Sequence, residues 1–532
     1  MAKKGPPKLG KRAQAILEQK EQSPQNAEEF LEQGAADEES GDRWFGSDVT
    51  KALRFYQKAY ELYLACIRMA PGQFPDSYYN AARLLFHVYN HYVSAEEVNV
   101  ETLENVGNAT SGNAESVMQP IAVVLRAHEE ALRFAGLTPS IDLIYNYALV
   151  HTAFLEDEDP SLPDTLSYGS AAIQLFQQVL TRQVEELTSF AAEIKELVSP
   201  ELSSTTDVTE PNVIPDASLS GISPTKEEHT SEEVLQPVDV LDTVVAAYKL
   251  ALAMVECTIS SDISPVVDIV QPFLESCDTI ASELMTSFSI STNQTPEMIS
   301  SIEPENYDEY AVNRAFLHSF AHIDDAATYI NYWNQDSLPR TPDRYMLSAD
   351  GLGLFLERHS LNVKLAHADQ AATLWKCLSQ MNTYYKSAQD LLQAQYLQKA
   401  KAPSGTNEGL GSLISQVCKV TIARADIEVQ RCQLDQELAR KSREVLLKNA
   451  KTLLKNAMKM AETTGGLREK ATEKLGREKR RSEIVLRLCL LEQKISTAEL
   501  DSIMGRTRWT AELPLLKELD IYGNWGIHKI VT

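Results

Sequence analysis

Glycine and proline are scarce, 22 of each in 532 residues. That is too few for a turn-rich β-protein, which needs a chain reversal roughly every ten residues. No GxxxxGK[ST] phosphate loop and no GxSxG nucleophile turn occurs. The short glycine cluster Gly351 and Gly353 lies in a helical context with no strand before it. The seven cysteines (Cys66, Cys257, Cys277, Cys377, Cys418, Cys432 and Cys489) form no CxxC pair. An odd, dilute set of this kind fits reduced thiols, and hence a cytoplasmic or nuclear protein. The opening MAKKGPPKLGKR leads into no apolar core and is not expected to act as a secretory signal. The longest apolar stretch, near Val244 to Val255, is broken by Lys249 and is too short to span a bilayer. We expect no membrane association and no cofactor.

Positive charge is missing from two long stretches, residues 134–181 and 250–313, which hold no Lys or Arg at all. Within a net charge of −25 the distribution is uneven. Residues 1–20 carry six Lys/Arg against one Glu, 21–398 carry 19 against 57 Asp/Glu, and 399–494 carry 21 against 12. An acidic body repels nucleic acid, whose affinity comes mainly from basic side chains, and attracts and steers a basic protein segment.

What the chain does have is helix-forming sequence. Residues 1–46 are polar and charged and are expected to be mobile. From Ser47 and Asp48 a capped helix begins, with Ala52, Phe55, Ala59, Leu62, Tyr63 and Cys66 on its apolar face. It stops before Pro71 and Pro75, and Asp76 is expected to cap the next, which runs to about Tyr92. Helices are expected near 119–136, from Ile141 to about Glu156, and near 169–198. Residues 200–234, rich in Pro, Ser, Thr, Asp and Glu, are expected to be a disordered acidic linker. A second set of helical pairs is expected over 235–397. Residues 413–463 contain neither Pro nor Gly and predict one long helix or two end to end. A last helix over 467–495 folds back on it, so that 413–500 forms a long hairpin. Over 501–532 the chain carries Trp509 and Trp525 and is expected to dock on that hairpin.

YNAARLLFHVY from Tyr79 aligns with YNYALVHTAFL from Tyr145 at an offset of 66 residues, close to two periods of about 33–34. Ala52, Tyr56 and Ala59 have small–aromatic–small spacing, and Ala172, Phe176 and Val179 repeat it. In these residues the stretch 47–199 resembles the tetratricopeptide family. Pro71 comes later than the family pattern places it, which lengthens the helix. The resemblance implies an all-α superhelix of stacked helical pairs that binds another protein along a groove. The groove residues it implies are Tyr79, Asn80, Arg83, Tyr145, Asn146 and His151. A carboxylate clamp for acidic tails does not fit, because the helix from Ile141 has no Lys or Arg. We expect a basic ligand instead.

Two histidine pairs have helical i, i+4 spacing, His87 with His91 and His318 with His322, the second followed by Asp324 and Asp325. Tetrahedral zinc needs more ligands than either pair supplies, so we assign no metal and no catalytic residue. Lys474, Arg477, Lys479, Arg480 and Arg481 form a basic cluster, a candidate contact for nucleic acid. The expected function is non-enzymatic: a scaffold or dedicated chaperone for a basic client protein. The alternatives are a structural subunit of a larger complex and, remotely, a metal-dependent enzyme.

Overall fold

The structure, a computed structural model, describes residues 24–198, 234–259, 263–288, 299–363, 367–403 and 407–531. The expected linker, apart from Val234, and the basic residues 1–20 lie outside it. Among the described residues the chain is all-helical, with 17 α-helices and no β-strand. No helix among them is long and apolar enough to cross a membrane.

The helices are α1 (Ala27–Phe45), α2 (Val49–Met69), α3 (Pro75–Val88), α4 (Ile121–Phe134), α5 (Ile141–Glu158) and α6 (Leu162–Val198). After them come α7 (Pro237–Glu256), α8 (Ser264–Phe288), α9 (Pro304–Ser319), α10 (Ala326–Trp333), α11 (Pro342–Arg358) and α12 (Ala368–Ala400). The last are α13 (Leu410–Gln433), α14 (Glu437–Ala461), α15 (Ala471–Leu491), α16 (Thr497–Met504) and α17 (Arg506–Glu518). Local chemistry sets many starts. Asp48, Ser140, Asp325 and Ser496 accept N-cap hydrogen bonds, and Pro237, Pro304 and Pro342 occupy first-turn positions whose N–H would be unused. Asp76 does not cap α3. Pro75 opens that helix, and its other end relaxes into a π turn over Tyr89–Val93.

Consecutive helices pack against each other, and alternate ones form a layer: α3 on α5, α5 on α7, α7 on α9, α9 on α11. On the opposite side α6 packs on α8, and α10 on α12. This is an all-α superhelical arrangement, the fold class expected from the sequence. A polar knot pins its middle: the Asp278 carboxylate accepts from Tyr310 at 2.6 Å, from Arg314 at 2.9 Å and from Tyr248. Arg344 is buried without a carboxylate and donates instead to four carbonyls at the end of α10, those of Trp333, Gln335, Leu338 and Pro339.

The expectation of a mobile segment over 1–46 fails from Ala27 onward. Helix α1 is capped by Asn26, whose side chain accepts from Glu29 N, and it lies along α2. Its buried residues are Ala27, Gly34, Glu38 and Gly41. The rings of Tyr63 and Tyr56 seat directly on Gly34 and Gly41, where an added Cβ would come within 2.6 and 2.4 Å of them. Glu38 accepts from Tyr63 at 2.7 Å and pairs with Arg83 at 2.6 Å.

The C-terminal region reverses earlier than expected. The break falls at Leu434–Gln436, where Leu434 turns into the core, and α13 and α14 form the hairpin. Helix α15 lies beside α13 as a third member. It runs parallel to it, with Gly476 over Ser415 and Arg487 over Asp426. Trp509, Tyr522 and Ile527 are fully buried against this bundle.

Candidate functional site: an acidic face on the odd helices

Helix α7 is apolar almost all round. From Val240 to Val255 its only exposed residues are Asp242 and Lys249, and Asp239 and Glu256 extend the same line to its ends. Residues 242, 249 and 256 are spaced seven apart, so they form one thin polar stripe on a helix otherwise wrapped by neighbours. Helix α11 repeats the pattern with exposed Asp343, Asp350 and Glu357. The two stripes run in the same direction, with Asp343 near Lys249 and Arg358 donating to the Ile259 carbonyl at 2.8 Å. Glu309 of α9 joins them through Lys249 at 3.1 Å, and Glu156 ends α5 beside Glu256.

The electrostatics set this surface apart. Glu156, Asp242, Glu256, Asp343 and Asp350 are all exposed by area. Burial is nonetheless the leading reason that each carboxyl is pushed above its ordinary value. Water reaches every head group, while the helices packed around it displace part of its solvent shell. Like charge adds to the effect. Glu256 is pushed up to about 7 by desolvation and then by Glu156, Asp350 and Glu357. At Asp350 the Tyr385 hydroxyl, donating at 2.5 Å, and Lys419 offset part of the burial.

Of the groove residues implied by the sequence, Tyr145 borders this face. Tyr145 lies half-buried beside Asp242 and Asp239, which with burial hold its hydroxyl protonated. Asn146 donates to Tyr79 at 2.9 Å, linking α5 to α3. Asn80 is half-buried on α3, and Arg83 is already engaged by Glu38. His151 is not on this face. It is buried between Tyr147 and Tyr168, near His128, and neither ring nitrogen finds a partner among the described residues. The carboxylates of α7, α9 and α11 are not singled out by the sequence. Glu156, Glu256 and Glu309 fall in the stretches 134–181 and 250–313 that lack Lys and Arg, whereas Asp242, Asp343, Asp350 and Glu357 lie outside both.

The basic cluster is largely consumed inside the fold. Arg477 holds Glu469 through two nitrogens, at 2.5 and 2.9 Å, and donates to the Ala461 and Thr463 carbonyls. Arg480 is buried between Glu483 at 2.8 Å and Glu96 at 2.6 Å, and Lys479 lies 4.0 Å from Glu512. Lys474 and Arg481 stay exposed. Here the loop 93–101 faces α15 and α17 across a cleft of ≈ 770 Å³.

Among the described residues no three His, Cys, Asp or Glu side chains gather as a metal site. Asp324 pairs with Arg358 at 2.9 Å, and Asp325 caps α10 through Thr328 N. The His87 and His91 rings lie 4.6 Å apart, tilted by 59°, beside Phe45, and His87 meets the Tyr56 hydroxyl, which donates to Asp42.

A family model described as the YNL193W C-terminal domain matches residues 342–512, from α11 into α17. The chain is also similar to the uncharacterized protein YNL193W of Saccharomyces cerevisiae, 26% identical over 201 residues, or 35% of this chain. The match spans 36% of that relative's length. The matched domain contains the α11 stripe and most of the C-terminal bundle.

Proposed function

We propose that this chain is a non-enzymatic scaffold or dedicated chaperone that holds a basic segment of a client protein along the acidic face. The observation that carries this reading is the pair of polar stripes, Asp242, Lys249 and Glu256 on α7 and Asp343, Asp350 and Glu357 on α11, joined by Glu309 and Glu156. Carboxylates crowded and partly desolvated in this way are unfavourable alone, and an Arg or Lys placed among them relieves both burdens at once. The tetratricopeptide resemblance agrees with such a role, since stacked helical pairs present extended inner surfaces to peptides. Seven unpaired cysteines suit the reducing cytoplasm or nucleus. The alternative, a structural subunit contacting its neighbours through the basic cluster, has less support because Arg477 and Arg480 are already paired.

The test is fluorescence anisotropy with a labelled Arg/Lys-rich peptide of about 20 residues, long enough to cross several helices. Binding should weaken steeply with salt, and Asp242→Lys with Glu256→Lys should reduce it at least tenfold. Unchanged affinity in that double variant would refute the proposal.

A further inference from the structure

The C-terminal bundle carries a second surface of opposite character. Helices α14, α15, α16 and the start of α17 enclose a trough of ≈ 320 Å³. Its floor is Met458, Val485, Leu488 and Met504, and Ile503 stands 47% exposed at its edge. Arg481 and Arg508 border it on two sides. Lys451 and Lys455 share a face of α14 with Met458, at i, i+4 and i+7. The acidic member of the rim, Glu492, is taken by Lys494 at 2.7 Å.

The cations here differ from their neighbours. Arg477, Arg480 and Arg487 are committed to carboxylates within the fold. Among the described residues Arg481 and Arg508 have no ion-pair partner, and both are exposed. Unspent arginines beside an apolar hollow fit a ligand that brings carboxylates and hydrocarbon together.

We propose that this trough docks an acidic amphipathic segment of a partner protein. Apolar side chains one helical turn apart enter between Met458, Leu488 and Ile503, and flanking carboxylates pair with Arg481 and Arg508. Two methionines in the lining supply the adaptable apolar contact that helix-binding grooves use. Single-stranded nucleic acid is disfavoured because the floor offers no aromatic ring for a base to stack on. A lipid surface is disfavoured because the apolar residues lie in a hollow instead of projecting as a face. This inference is independent of the acidic-face reading, whose ligand has the opposite charge.

To test it, a library of peptides of about 16 residues, roughly four helical turns, is displayed against the purified full-length chain. Selected peptides are then measured by anisotropy. Enrichment of Asp/Glu-rich sequences with Leu, Ile or Phe at i, i+3 and i+4 is expected. Their affinity should fall at least tenfold in Arg481→Glu/Arg508→Glu and in Ile503→Asp. These side chains are exposed, so the melting temperature should hold. If the double reversal lowers it, Arg481→Gln alone is read in the same way. The proposal is overturned if no such sequences are enriched, or if binders keep their affinity in these variants. It is also overturned if single-stranded DNA or phosphatidylserine vesicles bind the same residues equally well.

Discussion

Arg487 and Asp426 meet inside the C-terminal bundle as a two-pronged ion pair, with Arg487 Nε 3.0 Å from one carboxylate oxygen and Nη2 2.9 Å from the other. Tyr522 completes it, donating its hydroxyl to Asp426 at 2.6 Å. All three groups are buried. Removing one member leaves a charge stranded in a medium that solvates it poorly. Asp426→Asn should therefore cost about 3–5 kcal/mol, and Tyr522→Phe roughly 1.5–3 kcal/mol. Urea unfolding of the full chain measures both, and the order should not reverse.

The glycines of α1 make a paired prediction. Gly41→Ala and Gly34→Ala push a methyl group into the Tyr56 and Tyr63 rings and should each destabilise by roughly 1–3 kcal/mol. Gly353, within α11, has nothing within 4 Å of an added Cβ. There alanine should be neutral or stabilise by up to about 1 kcal/mol through helix propensity alone. Thermal melting of the three variants separates close packing from backbone preference.

The α1 case also shows where sequence reasoning stops. Apolar periodicity found α2, α5 and α7 because their buried faces are written in Ala, Leu, Val and Tyr. Helix α1 buries Gly34, Glu38 and Gly41, residues that no hydrophobic count registers, and its partners sit on other helices. The break after Gln433 is similar. It contains no Gly or Pro, and it is held from outside by Gln433 donating to the Ile521 carbonyl at 2.9 Å and accepting from Asn524. The acidic face was legible in part as a charge bias, but its two aligned stripes depend on the stack placing α7 and α11 in one layer on either side of α9.

Binding of a basic peptide should depend on pH through Glu256. Its folded value near 7 lies above the ordinary 4.5, so the group is partly neutral at pH 7. As pH falls from 8 to 6 it loses its charge and affinity should drop, while Glu256→Gln should flatten the profile. For folding the sign is opposite: stability from the neutral group is complete below 4.5 and is lost as pH rises through 7. A pH profile unaltered by Glu256→Gln would exclude this group as the source.

Three histidines predict acid sensitivity. Burial lowers His87, His128 and His151 to about 4 from 6.5. They stay neutral in the fold while the unfolded chain takes up protons below 6.5. Their contribution is complete above that pH and is lost as pH falls toward 4, each by at most about 1.4 kcal/mol per pH unit. His151→Leu should reduce the acid-side slope of unfolding free energy by one such proton. An unchanged slope would mean that His151 titrates alike in both states.

Helix α6 packs its inner side on α7, with Met254 lying against Gly169, yet residues 199–236 intervene between them in the chain. At about 5–20 residues per second, ribosomes finish α6 some seconds before its cover emerges. Through that interval the α6 side chains around Gly169 that α7 later covers face water on the nascent chain. Those side chains are a place for general chaperones to grip, and the length of the intervening segment becomes a timer on their release.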